Sequence, residues 1–348
     1  MTGSADRPGR CPAPGRVVVA VPERLRAVFF TRAAWNRLAA LAPLTVVDAH
    51  DDREAVAAAL SGPGDTARVL VTAWGAPRLD AGLLAAAPDL GLVAHTGGAV
   101  SPYVTPEVYD RRVRVTQAGA AMAAPVAEVA LTFTLSLLHR VHRFDHALRS
   151  GADWATASAA PPRHEIRGCP VGVVGASRTG RAYLTLVRAL GARVSVYDPF
   201  LTAPEAERLG VGVAPLDEVL RGSRIVAVHA PALPETRHLL GARELALMPD
   251  GAGLVNTARS WLVDESALLA EVRSGRLDAA LDVYDSEPLP TDHPLRALPN
   301  VLLTPHQAAA TVQGRYALGD STVAEVERFL GGLPLLHAVG REALARVE

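Results

Sequence analysis

The sequence predicts an α/β protein built from two doubly wound parallel-sheet domains, one inserted into the other. Three observations lead to this prediction. The chain has 348 residues, which is more than one ordinary hydrophobic core requires. Short Val- and Leu-rich runs alternate with helical segments, a pattern typical of parallel strands buried on both faces. The alternation stops once, for a long apolar helical stretch, and then restarts.

The first domain is expected to begin at Arg16, after a leader over residues 1–15 that lacks the apolar segment of a signal peptide. Its predicted strands are RVVVAV, LTVVDA, ARVLVTA, LGLVAH and VRVTQ, and its predicted helices are AAWNRLAALA, REAVAAAL, LDAGLLAAA and TPEVYDRR. We assign residues 16–125 to this domain. The last helix, STVAEVERFLGG, is expected to return to it, so residues 315–348 are assigned to it as well.

A single connecting helix is predicted over APVAEVALTFTLSLLHRVHRFDHALRSG, with Gly151 as its stop. The alternation then restarts. The predicted strands are PVGVV, RVSVY, RIVAVH, GAGLVNT, DAALDVY and NVLLTPH, and the predicted helices are GRAYLTLVRAL, PLDEVL and DESALLAEVRSG. The second domain is therefore expected over residues 126–314.

Composition excludes several classes of function. The formal charge is -1, so no basic footprint for nucleic acid is present. The apolar stretches are expected to be interrupted by charges before they could cross a bilayer, which predicts no membrane contact. Every basic residue in the Lys+Arg count is Arg, which excludes lysine Schiff-base chemistry. Cys11 and Cys169 lie far apart and outside any metal-binding spacing, which favours the cytoplasm.

The stretch VGVVGASRTGR, residues 171–181, has the strand–turn–helix context of a dinucleotide-binding turn. Gly175 can form the tight turn, and Gly180 lets the helix pack closely on the strand. The pyrophosphate would rest on the N–H groups of the helix N-terminus. Ser177 stands where a second glycine is expected, so we predict a slightly displaced or side-chain-assisted pyrophosphate and not a lost site.

Asp198 ends the following strand, RVSVY. A carboxylate at this position accepts hydrogen bonds from the adenosine ribose hydroxyls and repels a 2′-phosphate, which favours NAD over NADP. A glycine-rich turn and a strand-end Asp can also occur in a parallel-sheet protein of another kind. Strand, helix and Asp together favour a dinucleotide site.

Three polar residues follow later predicted strands: Arg259 in LVNTARS, Glu287 in LDVYDSEPLP and His306 in VLLTPHQAAAT. Taken singly, each is typical of a surface ion pair or a loop. Together with PVAE at 125–128 and HAPALPET at 229–236, these motifs resemble the D-isomer-specific 2-hydroxyacid dehydrogenases over most of the chain. The resemblance implies a flavodoxin-like substrate domain and an inserted Rossmann NAD-binding domain.

The resemblance also implies a mechanism. His306 would be the general acid/base, donating a proton to the substrate oxygen as a ketone accepts hydride from NADH. Glu287 would pair with the imidazole, fix the ring and favour its protonated form. Arg259 would bind the substrate carboxylate with both arms of its guanidinium, a geometry that Lys could not reproduce.

Further binding residues come from the resemblance alone. Asp282 and the carbonyl of Thr257 would orient the nicotinamide amide. The substrate carboxylate would also be held by backbone N–H groups of the loop AHTGGAV, on Gly98 and Ala99. The remaining implied cofactor contacts are Arg178 and Thr179 over the pyrophosphate, Ala230, Pro231 and Thr236 on the adenosine side, and Ala258, Arg259 and His306 near the nicotinamide.

Two other groups of residues have a simpler structural explanation. His139, His142 and His146 share one face of the predicted connecting helix, but no carboxylate or fourth ligand joins them. We therefore predict no metal site and a solvated or subunit-facing stripe. The tryptophans are expected to pack in the core or at an interface more often than to contact substrate; they include Trp74, Trp154 and Trp261.

Departures from the family narrow the substrate. Formate dehydrogenases of this superfamily carry glutamine where this chain has Glu287, and phosphite dehydrogenases carry a substrate-loop lysine that is absent here. Thr72 stands where phosphoglycerate dehydrogenases place an arginine, which disfavours a phosphorylated substrate. Ser101 and Pro102 replace the usual acid and amide of the substrate loop, so a specialised keto acid is also consistent with the sequence.

The leading prediction is an NAD-dependent reductase that converts a small unphosphorylated 2-keto acid into the D-2-hydroxy acid and acts as a homodimer through the connecting helix. Two alternatives stay open. One is an NAD(H)-sensing interaction protein that resembles the corepressors named C-terminal binding proteins. The other is a pathway-specific dehydrogenase acting on a phosphonate or another natural-product acid.

Overall fold

The computed structural model describes residues 15–62, 66–159 and 161–345. Cys11 and the predicted leader, except for its last residue, lie outside the described residues. The chain divides into two compact units. The described part of the first unit comprises residues 15–62, 66–122 and 312–345, and that of the second unit comprises residues 123–159 and 161–311. Both junctions lie three residues before the expected domain boundaries.

The first unit contains a five-stranded parallel sheet. Its elements in chain order are β1 (Arg16–Ala20), α1 (Glu23–Phe29), α2 (Arg32–Leu41), β2 (Leu44–Val46), α3 (Arg53–Ser61), β3 (Ala67–Thr72), α4 (Ala81–Ala85), β4 (Leu92–His95), α5 (Pro106–Asp110) and β5 (Arg114–Gln117). The strand order is β2-β1-β3-β4-β5. The sequence analysis missed only the short helix α1 in this region.

The second unit contains a seven-stranded parallel sheet. Its elements are α6 (Ala123–Leu138), α7 (Val141–Arg149), α8 (Trp154–Ser158), β6 (Pro170–Val174), α9 (Arg178–Ala189), β7 (Arg193–Tyr197), α10 (Ala203–Leu209), β8 (Gly212–Val213), α11 (Leu216–Arg221), β9 (Ile225–Val228), α12 (Ala242–Leu247), β10 (Gly253–Asn256), α13 (Glu265–Arg273), β11 (Asp278–Leu281) and β12 (Val301–Leu303). The strand order is β12-β11-β10-β9-β6-β7-β8. The predicted α/β class with two parallel sheets is confirmed.

The prediction of one connecting helix was wrong, because the segment forms two helices. Helix α6 ends at Leu138 and α7 begins at Val141, and between them Arg140 adopts a left-handed backbone with φ of 59°. The Arg140 guanidinium is buried, where it binds the carboxylate of Asp278 and donates to the carbonyl oxygen of Gly251 at 2.9 Å. These contacts with the sheet fix the break. Gly151 follows α7 with φ of 84°, consistent with its predicted role as a stop.

The predicted histidine stripe was wrong for the same reason. His139 lies in the break between α6 and α7, so the three histidines do not share one helix face. His142 is neither solvated nor free of a carboxylate, because it is buried with Nε2 3.2 Å from Oδ2 of Asp278. Within the described ranges, no group of three or more His, Cys, Asp or Glu is placed to hold a metal ion.

The expectation that charges interrupt every apolar stretch was also wrong. The helical run Gly119–Leu138 has 20 residues and a mean hydropathy of 1.7, enough by length and composition to cross a membrane. Glu128 is its single charged residue. In the structure Ala127, Phe133 and Leu137 are buried in the core of the second unit with residues of β6 and α9. Core packing therefore accounts for part of the apolar composition of this helix, since 39% of the apolar window is buried.

The last helix of the chain, α14 (Val312–Leu330), begins nine residues before the predicted start at Ser321. Gly319 weakened the helical pattern there. An added Cβ on Gly319 would lie 2.0 Å from the carbonyl oxygen of Phe29, at the end of α1. The glycine that obscured the helix in the sequence is therefore what lets α14 approach α1 so closely.

Candidate active site

One edge of the seven-stranded sheet carries nearly all the site residues predicted in the second unit. Because the strands are parallel, their carboxyl ends meet at this edge, where ligands of doubly wound folds bind. The residues that follow each strand are Gly175 after β6, Asp198 after β7, Ala230 after β9, Thr257 and Arg259 after β10, Asp282 and Glu287 after β11, and His306 after β12.

The turn between β6 and α9 depends on two glycines. Gly175 has φ of 97°, and an added Cβ would lie 2.4 Å from the backbone nitrogen of Ala230 in the neighbouring loop. An added Cβ on Gly180 would lie 2.2 Å from the carbonyl oxygen of Gly175. The first glycine therefore permits the tight turn, and the second permits the close approach of helix and strand.

Ser177 is the N-cap of α9. Its Oγ accepts a hydrogen bond from the backbone N–H of Gly180 at 3.3 Å, as capping serines do. Since the hydroxyl accepts in this bond, its hydrogen stays available to donate to a ligand. The N–H groups of Arg178 and Thr179 in the first turn have no acceptor within the described part of the chain. The serine therefore supports a helix N-terminus with free donors.

Asp198 ties the end of β7 to the glycine-rich turn. Its Oδ2 accepts from the N–H of Ala176 at 2.7 Å, and its Oδ1 accepts from the N–H of Phe200 at 2.8 Å. Each carboxylate oxygen has a further lone pair, so ribose hydroxyls can still donate to it. The same carboxylate can thus shape the turn and bind a sugar.

Replacing Gly175 by alanine is expected to raise the Kd for NADH by about tenfold or more. The added Cβ would press on the backbone of Ala230, and overpacking of this kind costs about 1–3 kcal/mol. If this cost falls on the conformation that binds NADH, each 1.4 kcal/mol raises the Kd by about tenfold. The change can be measured by fluorescence titration with NADH.

Gly168 provides the matched control for this substitution. It also has a positive φ, 70°, but an added Cβ would meet no atom within 4 Å. Gly168→Ala should therefore share the backbone strain and leave the Kd for NADH within about twofold of the wild-type value. Equal loss of affinity in both variants would show that backbone strain, and not contact with Ala230, limits binding.

His306 and Glu287 form a direct pair. Nδ1 of His306 lies 2.7 Å from Oε2 of Glu287, and Oε1 of Glu287 accepts from the N–H of Tyr284 at 3.0 Å. Because a carboxylate accepts only, Nδ1 is the donor and Nε2 is left for another partner. The two side chains keep 47% and 36% of their exposure, so a ligand can reach them. Nε2 of His306 has no hydrogen-bond partner within residues 15–62, 66–159 and 161–345.

Asp282 supports the loop that carries His306. Its side chain is buried, and Oδ1 accepts from the hydroxyl of Thr304 at 2.5 Å and from the N–H of Gln307 at 2.9 Å. Oδ2 accepts from the N–H of Ala308 at 2.9 Å. These bonds fix the loop on both sides of His306, which has a left-handed backbone with φ of 52°. Asp282 thus holds the loop of His306, and its implied contact with the nicotinamide amide stays a prediction.

Arg259 is held by a residue that the sequence analysis missed. The buried side chain of Asn256 donates from Nδ2 to the carbonyl oxygen of Arg259 at 2.9 Å and accepts at Oδ1 from the N–H of Ala258 at 3.0 Å. Among the described residues, the guanidinium donates only to the carbonyl of Ala258, at 2.8 Å. No hydrogen bond or ion pair joins Arg259 to His306 or Glu287 in the described structure. An amide that ends a strand just before a polar loop was the available signal for Asn256.

Two further polar side chains at this edge are buried without partners. Neither ring nitrogen of His229, nor Oγ1 of Thr257, has a hydrogen-bond partner in the part of the chain that the structure describes. Burial lowers the pKa of His229 to about 3, so the ring is neutral. It packs against Tyr183 with ring centroids 4.9 Å apart. His229 ends the predicted strand RIVAVH, but its burial beside Tyr183 depends on contacts between β9 and α9.

The loop predicted on the adenosine side is organised by Thr236. Its hydroxyl donates to the carbonyl oxygen of Pro231 at 2.8 Å and accepts from the N–H of Leu233 at 2.9 Å. Pro231 is exposed and Ala230 is half-buried. Thr236 therefore shapes the loop, while the backbone of Ala230 lies against Gly175.

In the first unit, Gly98 and Ala99 lie in the loop after β4 and are half-buried. Their backbone N–H groups have no acceptor within the described ranges, although a neighbour, Gly97, accepts at its carbonyl from Ala118 at 2.8 Å. Two adjacent N–H groups without partners can bind a carboxylate.

These features fit a bound dinucleotide. Gly175 permits the tight turn that a Cβ would block against the backbone of Ala230. The N–H groups of Arg178 and Thr179, which have no acceptor among the described residues, suit a pyrophosphate. Asp198 suits a ribose, and the carbonyl of Thr257 accepts no hydrogen bond from the described residues, which suits an amide. A doubly wound sheet with this turn and a histidine–glutamate pair at the same edge defines an NAD-binding oxidoreductase.

The chain belongs to the D-isomer-specific 2-hydroxyacid dehydrogenases, since residues 131–308 match the family's NAD-binding domain. It is 33% identical to a glyoxylate reductase of Aeropyrum pernix, over 77% of this chain and 81% of that protein. It is 36% identical to a D-3-phosphoglycerate dehydrogenase of Mycobacterium leprae, over 74% of this chain and 48% of that protein. The chain thus spans about half the length of that relative.

Solved structures support the fold. The apo form of Rhodotorula graminis D-mandelate dehydrogenase superimposes with a TM-score of 0.81 and 24% identity, covering 95% of this chain and 98% of the other.

Proposed function

We propose that this protein is an NAD-dependent dehydrogenase that interconverts a small unphosphorylated 2-keto acid and its D-2-hydroxy acid. The observation that carries the proposal is the His306–Glu287 pair, with Nδ1 bound to the carboxylate and Nε2 unpartnered within the described residues. The pair lies at the sheet edge that also carries the glycine-rich turn. Family membership and the fit of the turn to a dinucleotide support the same proposal.

The proposed chemistry assigns one proton to His306. Bound NADH supplies the hydride to the keto carbon, and bound NAD⁺ accepts it in the reverse direction. In reduction, protonated Nε2 of His306 donates to the substrate oxygen as that oxygen gains negative charge, which yields the hydroxy acid. Oxidation returns the proton to Nε2. Glu287 holds the ring by Nδ1 and balances the charge of the imidazolium, so that one tautomer and one orientation persist through the cycle.

Arg259, supported by Asn256, is proposed to bind the substrate carboxylate through its guanidinium. The unpartnered N–H groups of Gly98 and Ala99 are proposed as further carboxylate donors. The cofactor contacts implied for Ala230, Pro231 and Thr236 also remain part of the proposal. Orientation of the nicotinamide amide by Asp282 and the carbonyl of Thr257 also remains part of the proposal. The three hydrogen bonds of Asp282 to the His306 loop give it the further role of holding that loop.

NAD is proposed in preference to NADP. A 2′-phosphate would stand beside the carboxylate of Asp198, where like charges repel. Phe200, two residues after Asp198, is exposed and uncharged, so it supplies no cation to offset that repulsion.

The proposal is tested by a panel of 2-keto acids assayed with NADH and with NADPH, following loss of nicotinamide absorbance. We expect oxidation of NADH, with a kcat/KM at least about tenfold above that with NADPH. Binding of NADH without turnover on any keto acid would favour the NAD(H)-sensing alternative. Turnover confined to a phosphonate-bearing acid would favour the pathway-specific alternative.

A homodimer and a cytoplasmic location complete the proposal. Helices α7 and α8 expose large apolar side chains: Val141, Leu148 and Trp154 keep 53%, 49% and 79% of their exposure. Exposed apolar groups clustered in this way are typical of an interface. The single cysteine within the described residues, Cys169, is a free thiol, which is compatible with a reducing compartment.

A further inference from the structure

Trp74 lies beside the loop that carries Gly98 and Ala99. It follows β3, and its ring packs edge-to-face on Phe29 with centroids 5.3 Å apart. Its Nε1 lies 3.2 Å from the position that a Cβ on Gly97 would occupy. Trp74 nevertheless keeps 40% of its exposure. The packing on Phe29 fixes the indole, and the exposed remainder offers an aromatic surface next to the unpartnered N–H groups of the loop.

The strand ends behind this loop carry no positive charge. Thr72 and His95 end β3 and β4, are buried, and lie with Oγ1 and Nδ1 3.0 Å apart. The His95 ring stacks on Tyr103 with centroids 4.7 Å apart. Burial lowers the pKa of His95 to about 3, so the ring is neutral at physiological pH. A phosphate or second carboxylate placed against Thr72 and His95 would lose its hydration without gaining a positive charge from either residue.

We infer that the substrate is a 2-keto acid with an uncharged apolar side chain, aromatic or branched aliphatic, and that Trp74 determines this specificity by packing against it. The inference rests on the proposed function, because it takes the N–H groups of Gly98 and Ala99 as ligands of the substrate carboxylate. The side chain of the substrate is then held a few atoms from the loop. The indole of Trp74 lies next to the same loop, so the two can pack together.

The size of the effect follows from buried area. A substrate as small as glyoxylate leaves the exposed part of Trp74 in water, whereas a phenyl or isobutyl group covers it. Each buried methylene contributes about 0.8 kcal/mol, or about fourfold in kcat/KM. Several such groups should favour an apolar keto acid by about thirtyfold or more over glyoxylate.

The test compares kcat/KM for phenylpyruvate, 4-methyl-2-oxopentanoate, glyoxylate and 3-phosphohydroxypyruvate in the full-length protein. We expect phenylpyruvate or 4-methyl-2-oxopentanoate to exceed glyoxylate by about thirtyfold, and 3-phosphohydroxypyruvate to be the poorest substrate.

Trp74→Ala should lower the preference for the apolar keto acid over glyoxylate by about tenfold. Trp74→Phe should retain most of it, because an aromatic face remains. Leu190→Ala, at a leucine exposed by 42% after α9 in the second unit, is the control and should leave the preference unchanged.

Three results would overturn the inference, and they can be told apart. An active enzyme that prefers glyoxylate or the phosphorylated acid would contradict the substrate class alone. An unchanged preference in Trp74→Ala would contradict the role of Trp74 alone. NADH binding without oxidation by any of the four acids would reject the proposed function, and the inference with it.

Discussion

Replacing His306 by asparagine should lower kcat for keto-acid reduction by about a hundred- to ten-thousand-fold, the usual contribution of a positioned acid/base. Nε2 is the nitrogen that Glu287 leaves free, so the variant removes the proposed proton donor. Asparagine is chosen because it tolerates the left-handed backbone at this position, where φ is 52°. The Kd for NADH should stay within about threefold of the wild-type value, since no part of the glycine-rich turn changes.

The second unit offers a closely matched control. His238 also has a left-handed backbone, with φ of 48°, and its ring, exposed by 41%, lies 3.7 Å from a carboxylate oxygen of Asp264. His238→Asn should leave kcat within about twofold of the wild-type value. If His306→Asn weakened NADH binding and left kcat intact, His306 would be a cofactor ligand and not the acid/base.

The sequence located the candidate site at the ends of particular strands, because each candidate motif directly follows a predicted strand. Gly175 has the positive φ expected of a tight turn, and His306 and Glu287, separated by 19 residues in the chain, lie 2.7 Å apart. The short motifs that contain these residues resemble those of the family, and the resemblance implied the pairing of His306 with Glu287. The cap formed by Ser177 is similarly local, since its acceptor and donor lie three residues apart.

Contacts that depend on how loops fold against one another could not be predicted in the same way. The burial of Asp282 among Thr304, Gln307 and Ala308 requires the exact course of the loop after β12. The role of Asn256 likewise depends on the turn that follows β10. The resemblance implied a role for Asp282 toward the cofactor, and the sequence analysis missed Asn256. The three-dimensional structure shows that both hold the loops of the site in place.

The fold shows the same division. Alternating apolar runs were enough to predict the strands, except for the two-residue β8. They could not predict the break at Arg140, because the helical period continues across it and the partner, Asp278, lies 138 residues further along the chain. A long-range ion pair thus overrides local helical preference at this point.

Replacing Asp278 by asparagine is expected to destabilise the protein by about 3–5 kcal/mol, the cost of removing one partner from a buried ion cluster. Oδ1 of Asp278 accepts from Arg143 at 2.5 Å, and Oδ2 accepts from Arg143 at 3.1 Å and contacts Arg140 and His142. Asp278 and Arg140 are almost completely buried. The neutral amide would leave two guanidinium groups without a counter-charge and would release the junction between α6 and α7. Urea unfolding followed by circular dichroism measures the loss.

Asp250→Asn provides the contrast, because Asp250 is exposed by 89% and its ion pair with Arg276 spans 3.6 Å. That variant should lose less than about 1 kcal/mol. Similar losses in the two variants would contradict the view that burial makes the Asp278 cluster important.

The dependence on pH gives the Asp278 prediction a second, independent readout. Burial alone would raise the pKa of Asp278, but the hydrogen bonds from His142 and Arg143 and the charges of Arg140 and Arg143 outweigh burial and lower it to about 2. A lowered pKa means that the carboxylate contributes its stability above pH 3.8, the ordinary value, and loses it as the pH falls towards 2. The stability gap between wild type and Asp278→Asn should therefore be constant near neutrality and narrow below about pH 4. A gap that persisted unchanged at pH 2.5 would mean that packing around the side chain, and not its charge, holds α7 against the sheet.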